Sequence, residues 1–213
     1  MNVTPELVEK IVREIVAQNN GVTMDEAPIG ISNRHIHLSQ ADVETLFGAG
    51  YELQKLKDLS QPGQYACKEV LTIVGPSMRP IEGVRVLGPV RKDTQVEISR
   101  TDSFVLKNRP PVRESGKIQG SAPITIIGPK GIVNIKEGCI IANRHIHMSL
   151  EDGANFGVKD CDYVTVELNG ERKTTFHDVQ IRVHKDFRLE MHIDTDDANA
   201  AGVKNGDKVK IIK

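Results

Sequence analysis

The sequence predicts a mainly β chain: two related β-barrels with short capping helices, preceded by an amphipathic N-terminal helix. Three observations predict it. From Pro28 onward the chain is filled with short runs rich in β-branched residues, many of them alternating apolar with polar. Gly and Pro interrupt these runs at roughly 8–12-residue intervals, the spacing of a barrel or sandwich. The pentapeptide NRHIH occurs twice, at Asn33–His37 and Asn143–His147, inside flanks that also correspond: "IGISNRHIHLSQAD" and "CIIANRHIHMSLED". Internal duplication is the simplest account, and it makes the two barrels relatives.

Taken in order, the elements begin with "TPELVEKIVREIVAQ", residues 4–18. Thr4 can cap this helix, Pro5 suits its first position and Glu6 favours its dipole. Leu7, Val8, Ile11, Val12, Ile15 and Val16 form one narrow apolar stripe. That stripe can pack on its own domain or a second subunit, or serve as a docking peptide for another protein. "NNG" ends it and "VTMDEAP" reads as a linker. Strands follow in "LTIVG", "GVRVLGPV", "TQVEIS", "ITIIGPKGIVNI", "CIIANRHIHM", "YVTVEL", "VQIRVH", "LEMHID" and "KVKII". Between them lie three short helical segments, "SQADVETLFG", "SLEDGANFG" and "DTDDANAAG", each opening on a Ser or Asp cap and closing at Gly. A second repeat, "GVKDCDYVTVEL" against "GVKNGDKVKII", leads a Gly-Val-Lys turn into a strand.

Composition limits the function. A formal net charge of −1 over 213 residues gives no general attraction to nucleic acid or membrane. No apolar run approaches the about 20 residues of a spanning helix, and no secretory signal is visible. Cys67, Cys139 and Cys161 stand alone with no C-x-x-C pair, a sparse count that suits a cytoplasmic protein, and they read as buried small hydrophobes.

In a strand, residues i and i+2 share a face, so His35 with His37 and His145 with His147 are two chelating pairs. Imidazole suits zinc, copper, iron or nickel, zinc being commonest where no redox chemistry is involved. A lone H-x-H is weak; two copies in matching pentapeptides, among only seven histidines, are not. Each pair needs a third ligand. His192 in "LEMHID" alternates with Leu189, Met191 and Ile193, whereas His177 and His184 lie in polar stretches and read as solvated. Glu97 interrupts an apolar alternation, and pattern alone leaves its direction open. Three protein ligands leave a metal an open position, the mark of a catalytic site.

"GISNRHIHLS", "LQKLKDLSQPGQYACKE", "VRVLGPVRKDTQVEIS" and "IANRHIHMS" together resemble the PduL-type phosphotransacylases, the phosphate propanoyltransferases, which exchange an acyl group between coenzyme A and phosphate. The resemblance covers about residues 28 to 213. It implies a pair of β-barrels, one inserted in the other: residues 23–33 with 143–213 form the first and 34–142 the second, with 1–22 as helix and linker. It implies that His35, His37 and Glu97 bind one zinc, and His145, His147 and His192 the other. It places Arg91 beside the metals for phosphate, a residue that pattern alone would read as an ordinary ion pair with Asp93 or Glu97. Ser32, Lys57, Arg85, Leu87 and Asn199 fall where the family contacts coenzyme A. A homodimer is expected, and the short N-terminal helix matches those that target family members to the interior of a bacterial microcompartment through a shell or cargo protein.

Without a G-x-S-x-G or another nucleophile motif, direct transfer without an acyl-enzyme is the expected route. Two other classes share the ligands. A dinuclear hydrolase would use them without coenzyme A or phosphate, and a non-catalytic zinc module would close its coordination shells.

Overall fold

The computed structural model describes residues 25–212, so the helix expected at residues 4–18 lies outside the described residues. The chain runs β1 (Glu26–Ser32), β2 (His35–His37), α1 (Gln40–Phe47), β3 (Lys55–Asp58), β4 (Tyr65–Val74), β5 (Pro80–Gly88), β6 (Gln95–Glu97), α2 (Arg100–Leu106) and β7 (Val112–Arg113). It continues through β8 (Ala122–Ile127), β9 (Ile132–Ala142), β10 (His145–Met148), α3 (Leu150–Phe156), β11 (Tyr163–Leu168), β12 (Thr174–Val183), β13 (Glu190–Asp194), α4 (Thr195–Ala201) and β14 (Lys208–Ile212). The protein is mainly β, as the alternation predicts. One barrel closes in the order β1-β13-β10-β12-β11-β14. The other closes as β4-β5-β2-β6-β9-β8, with β8 returning to β4, while β3 and β7 pair on its outside.

The two closures are the same diagram. β2 pairs parallel with β5 and antiparallel with β6; β10 pairs parallel with β12 and antiparallel with β13. The incoming strands do not stay with the units they precede. β1, which leads into β2, pairs with β13 and β14, whereas β9, which leads into β10, pairs with β6 and β8. The repeats therefore exchange their first strands. The expected single strand "CIIANRHIHM" breaks at Asn143 and Arg144 because the chain there passes from one barrel to the other, as it does at Asn33 and Arg34.

Local chemistry fixes the helices. Ser99 and Ser149 form capping boxes with Asp102 and Asp152, and Asp194 accepts from the backbone of Asp196 and Asp197. α2 was not among the three expected helices; it occupies in its repeat the place of α4, and its S-x-x-D start is the signal that marks it. The arginine of each NRHIH latches onto the third helical residue of that helix. Arg34 grips Asp102 at 2.6 and 2.9 Å, and Arg144 grips Asp197 at 2.9 and 3.0 Å. These are forked, charge-assisted contacts that hold the crossing segments against the barrel ends.

Alternation then divides the H-x-H residues. Ile36 and Leu38 are fully buried in one core, with Ile73, Val86 and Ile126; Ile146 and Met148 are fully buried in the other, with Leu168, Ile181 and Met191. The histidines project from the opposite faces. Cys67 and Cys139 are buried as expected, but Cys161 is exposed, at φ 68 in the turn before β11, where no core reaches it. Truncating the central residue of either pentapeptide, Ile36→Ala or Ile146→Ala, should cost about 2–5 kcal/mol of stability. Urea denaturation checks it; a loss below about 1 kcal/mol in both variants would contradict this division of faces.

Candidate metal centre

Matching registers place matching side chains. His35 faces Glu97 across β2–β6, and His145 faces His192 across β10–β13, so Glu97 and His192 hold equivalent positions. His35, His37 and Glu97 form one group and His145, His147 and His192 another; within each, ligand-type atoms all lie within 4.8 Å of one another. The ring centroids of His35 and His37 are 5.0 Å apart, those of His145 and His147 4.7 Å. His192 stacks on His145 at 5.1 Å and meets His147 edge-on at 4.7 Å. His177 and His184 are exposed and stand outside both groups.

The asparagines of the two pentapeptides explain themselves here. Nδ1 of His35 lies 2.8 Å from the carbonyl of Asn33, and Nδ1 of His145 lies 2.8 Å from that of Asn143. A carbonyl only accepts, so Nδ1 carries a proton, and Nε2 is the atom of each ring left to face its group. His35 Nε2 lies 3.4 Å from Glu97 Oε2. The other carboxylate oxygen, Oε1, is occupied: Gln95 Nε2 donates to it at 2.6 Å and Ser115 Oγ at 2.8 Å. Ser115 Oγ in turn accepts from Arg91 Nη1 at 3.2 Å, so one hydroxyl ties the carboxylate to the arginine.

Do these residues fit a cation? Nδ1 of His37, Nδ1 of His147 and Nε2 of His192 are buried with no hydrogen-bond partner. His192 Nε2 does come within 3.0 Å of Glu190 Oε2, though without the alignment of a hydrogen bond. Orphaned buried nitrogens are costly unless something pairs with them. Burial, reinforced by its histidine neighbours, holds His147 at about 2 and His145 at about 4, so both imidazoles are neutral and able to donate an electron pair. Burial opposes ionisation of Glu97 too, but His35, His37 and Ser115 outweigh it and hold the carboxyl far below the usual range. Burial likewise opposes protonation of His35, and Glu97 beside it wins, raising the imidazole above its ordinary value. An anionic carboxylate beside imidazoles is a donor set for a zinc-type ion, which would take the place of any proton on a ligating ring nitrogen.

Both groups border one cavity of about 620 Å3 between the barrels. Arg91 lines it, as do Ser32, Lys57, Arg85 and Leu87; Asn199 does not, standing exposed on α4. Asn205 lines it instead, its Oδ1 accepting the Ile31 N–H at 2.7 Å. Ser115, Gln61, Glu190 and Arg182 also reach the cavity, and no motif announces them. Gln61 is nearly fully buried and bonds both the carbonyl and the N–H of Arg188, pinning the β3–β4 loop of one barrel to the other. No described helix is long and apolar enough to cross a membrane.

Burial also holds His37 well below its ordinary value; among the three depressed histidines, His145 and His147 predict a sign for pH dependence in metal-free protein. In the unfolded chain each protonates near about 6.5, but the fold resists it. Their contribution is therefore whole above that pH and lost as pH falls toward the folded values, about 4 for His145 and about 2 for His147. Urea midpoints should drop between about pH 7 and about pH 4.5, and less so in His145→Gln/His147→Gln. An equal drop in both proteins would show that other groups carry the dependence.

Comparison with known proteins gives the family. The phosphate propanoyltransferase family pattern matches residues 28–204. A protein of that name from Lachnoclostridium phytofermentans is 54% identical over 208 residues, spanning 97% of each chain. One from Thermotoga maritima is 60% identical over 186 residues, 87% of this chain and 88% of its own. A third, from Priestia megaterium, is 53% identical over 204 residues, 95% and 94% of the two chains. The chain is a member of the phosphate propanoyltransferase family, a family of acyltransferases.

Proposed function

We propose that the protein transfers a short acyl group, propanoyl or acetyl, between coenzyme A and phosphate, with two zinc ions held between its barrels. The barrels are taken as residues 23–33 with 143–213, and 34–142. One observation carries this reading: two three-residue ligand groups and Arg91 open onto the same cavity. His35, His37 and Glu97 would hold one zinc, and His145, His147 and His192 the other. When bound, zinc supplies Lewis acidity to the thioester carbonyl and its developing negative charge.

The chain's own residues do the rest. Arg91 offers phosphate a planar fork of donors in a half-buried setting, where charge-assisted bonds are strong. Ser115 fixes the direction of that fork by accepting one of its N–H groups. Lys57 and Arg85, with Ser32 and Leu87, border the part of the cavity suited to the phosphates and pantetheine arm of coenzyme A. A phosphate oxygen bonds to the acyl carbon, the C–S bond breaks and coenzyme A departs as thiolate; holding both reactants makes the attack effectively unimolecular. Protein thiols are poorly placed to intervene. Burial pushes Cys67 up to about 11 and Cys139 up to about 12, Cys161 is raised by its Asp160 contact, and none of the three lines the cavity.

Thiol release from propanoyl- and acetyl-CoA, with and without phosphate, tests the proposal; release that ignores phosphate would favour a hydrolase. Replacing His35 and His37 together should remove one ion per chain, and His145 with His147 the other, by elemental analysis. Arg91→Ala should lower phosphate-dependent turnover by about 100-fold or more, and Arg91→Lys should restore little, since an ammonium lacks the fork. Near-normal kinetics in both would remove Arg91 from the reacting centre.

We further propose that the enzyme is a homodimer in the cytoplasm and that residues 4–18 dock it on a shell or cargo protein of a microcompartment. The single aliphatic stripe supports this, being too short to hold a helix by itself and well suited to a partner groove. Deleting residues 1–22 should leave turnover and metal content near wild type and change co-purification. Loss of activity on deletion would make the segment part of the catalytic fold.

A further inference from the structure

Because the barrels are equivalent strand for strand, departures from equivalence mark where the halves do different work. One such departure lies beside the histidines. Arg182 pairs with His147 across β10–β12. Continuing the register that sets His35 against Arg85 and Ile36 against Val86 brings Leu87 beside His37. One barrel thus carries an arginine where the other carries a leucine, and both side chains line the same cavity.

The Arg182 side chain stays 24% exposed, with its guanidinium 5.8 Å from the Phe187 ring, so its charge is open to a counter-charge in the cavity. Its carboxylate neighbour meets it poorly: Glu114 Oε1 lies 3.8 Å from Arg182 Nη2, while Glu114 Oε2 is engaged by Lys117 at 2.6 Å and Gln180 at 3.3 Å. The forked pairs of Arg34 and Arg144 show what a committed structural arginine looks like in this fold. Arg91 reaches the same cavity from the other barrel, and the two cations feel each other: burial first, then the charge of Arg182, lowers Arg91, against the pull of Glu97. Two like charges facing one cavity favour an anion between them.

We infer that Arg182 is a second phosphate-binding residue, which with Arg91 brackets the phosphate, or the phosphoryl end of acyl phosphate, from opposite barrels. This rests on the acyl-transfer reading above. Coenzyme A carries phosphates of the same chemistry, so the test separates the two sources.

Arg182→Leu installs the side chain that the other barrel carries. In the zinc-loaded enzyme its KM for phosphate should rise about tenfold or more, with the KM for propanoyl-CoA within about twofold of wild type and metal content unchanged. Calorimetric titration with inorganic phosphate should show the same loss without turnover. Unchanged phosphate affinity would overturn the inference, and so would a rise confined to propanoyl-CoA, which would give Arg182 to the phosphates of coenzyme A. If the leucine variant does not fold, Arg182→Gln carries the same expectations. Should wild type show no phosphate-dependent thiol release, the acyl-transfer reading falls, and the phosphate titration still decides the fate of Arg182.

Discussion

The parallel pairing of β1 with β13, and of β9 with β6, is the constraint on which the site depends. A strand fixed in one barrel must be followed, within two residues, by a strand fixed in the other. Asn33–Arg34 and Asn143–Arg144 bridge that gap, and the histidines stand immediately beyond it. The crossing thus places an H-x-H at the barrel junction twice. Arg34 and Arg144 clamp the crossings to helix N-termini, and the carbonyls of Asn33 and Asn143 orient the first imidazole of each pair. No two neighbours in the pentapeptide do the same work: the asparagine lends a carbonyl, the arginine clamps, the isoleucine fills the core, and the histidines on either side of it offer ligand-type nitrogens.

Duplication supplies symmetry, and substitution at single positions breaks it. Glu97 and His192 face equivalent histidines, yet one is a carboxylate and the other an imidazole. The first group offers a cation one anionic ligand, whereas the second offers only imidazole nitrogens, with a carboxylate behind one of them. The neighbours differ accordingly. Gln95 and Ser115 donate to Glu97, consistent with an anion, whereas the residue equivalent to Gln95 is Glu190, whose carboxylate approaches His192. Gly30 makes room for that carboxylate, since a Cβ there would sit 2.8 Å from Glu190 Cδ. One scaffold thereby presents two electrostatically different pockets to a single cavity.

Much of this was legible in the residues, and what was not has physical reasons. Period-two alternation and punctuation by Gly and Pro gave the β class, and the repeated pentapeptide located the histidine pairs. Alternation reports the face a side chain takes, not which strand lies beside it, so the exchange of β1 and β9 could not be read. The same limit left Glu97 open: its face points into a polar space between barrels, which a pattern cannot tell from solvent. Ser115, Gln61 and Arg182 reach the cavity from segments far apart in sequence and carry no local signature. α2 escaped because its S-x-x-D start is followed by Phe104 and Val105, both exposed, which hides its amphipathic face. Asn199 and Asn205 lie close in sequence, but only the second, on the turn before β14, faces the cavity.

The strand exchange also sets an order of assembly. A chain emerging from the ribosome delivers β1 early, but the strands it must pair with, β13 and β14, arrive last. Meanwhile β2 through β9 are complete and can close their own barrel, leaving β1 as a waiting edge with unpaired backbone groups. The contacts that finally engage it are among the most distant in the sequence, which slows the last step of folding. The cavity acquires its second wall only in that step. A chain that ends at β9 therefore holds His35 and His37 without His145 and His147.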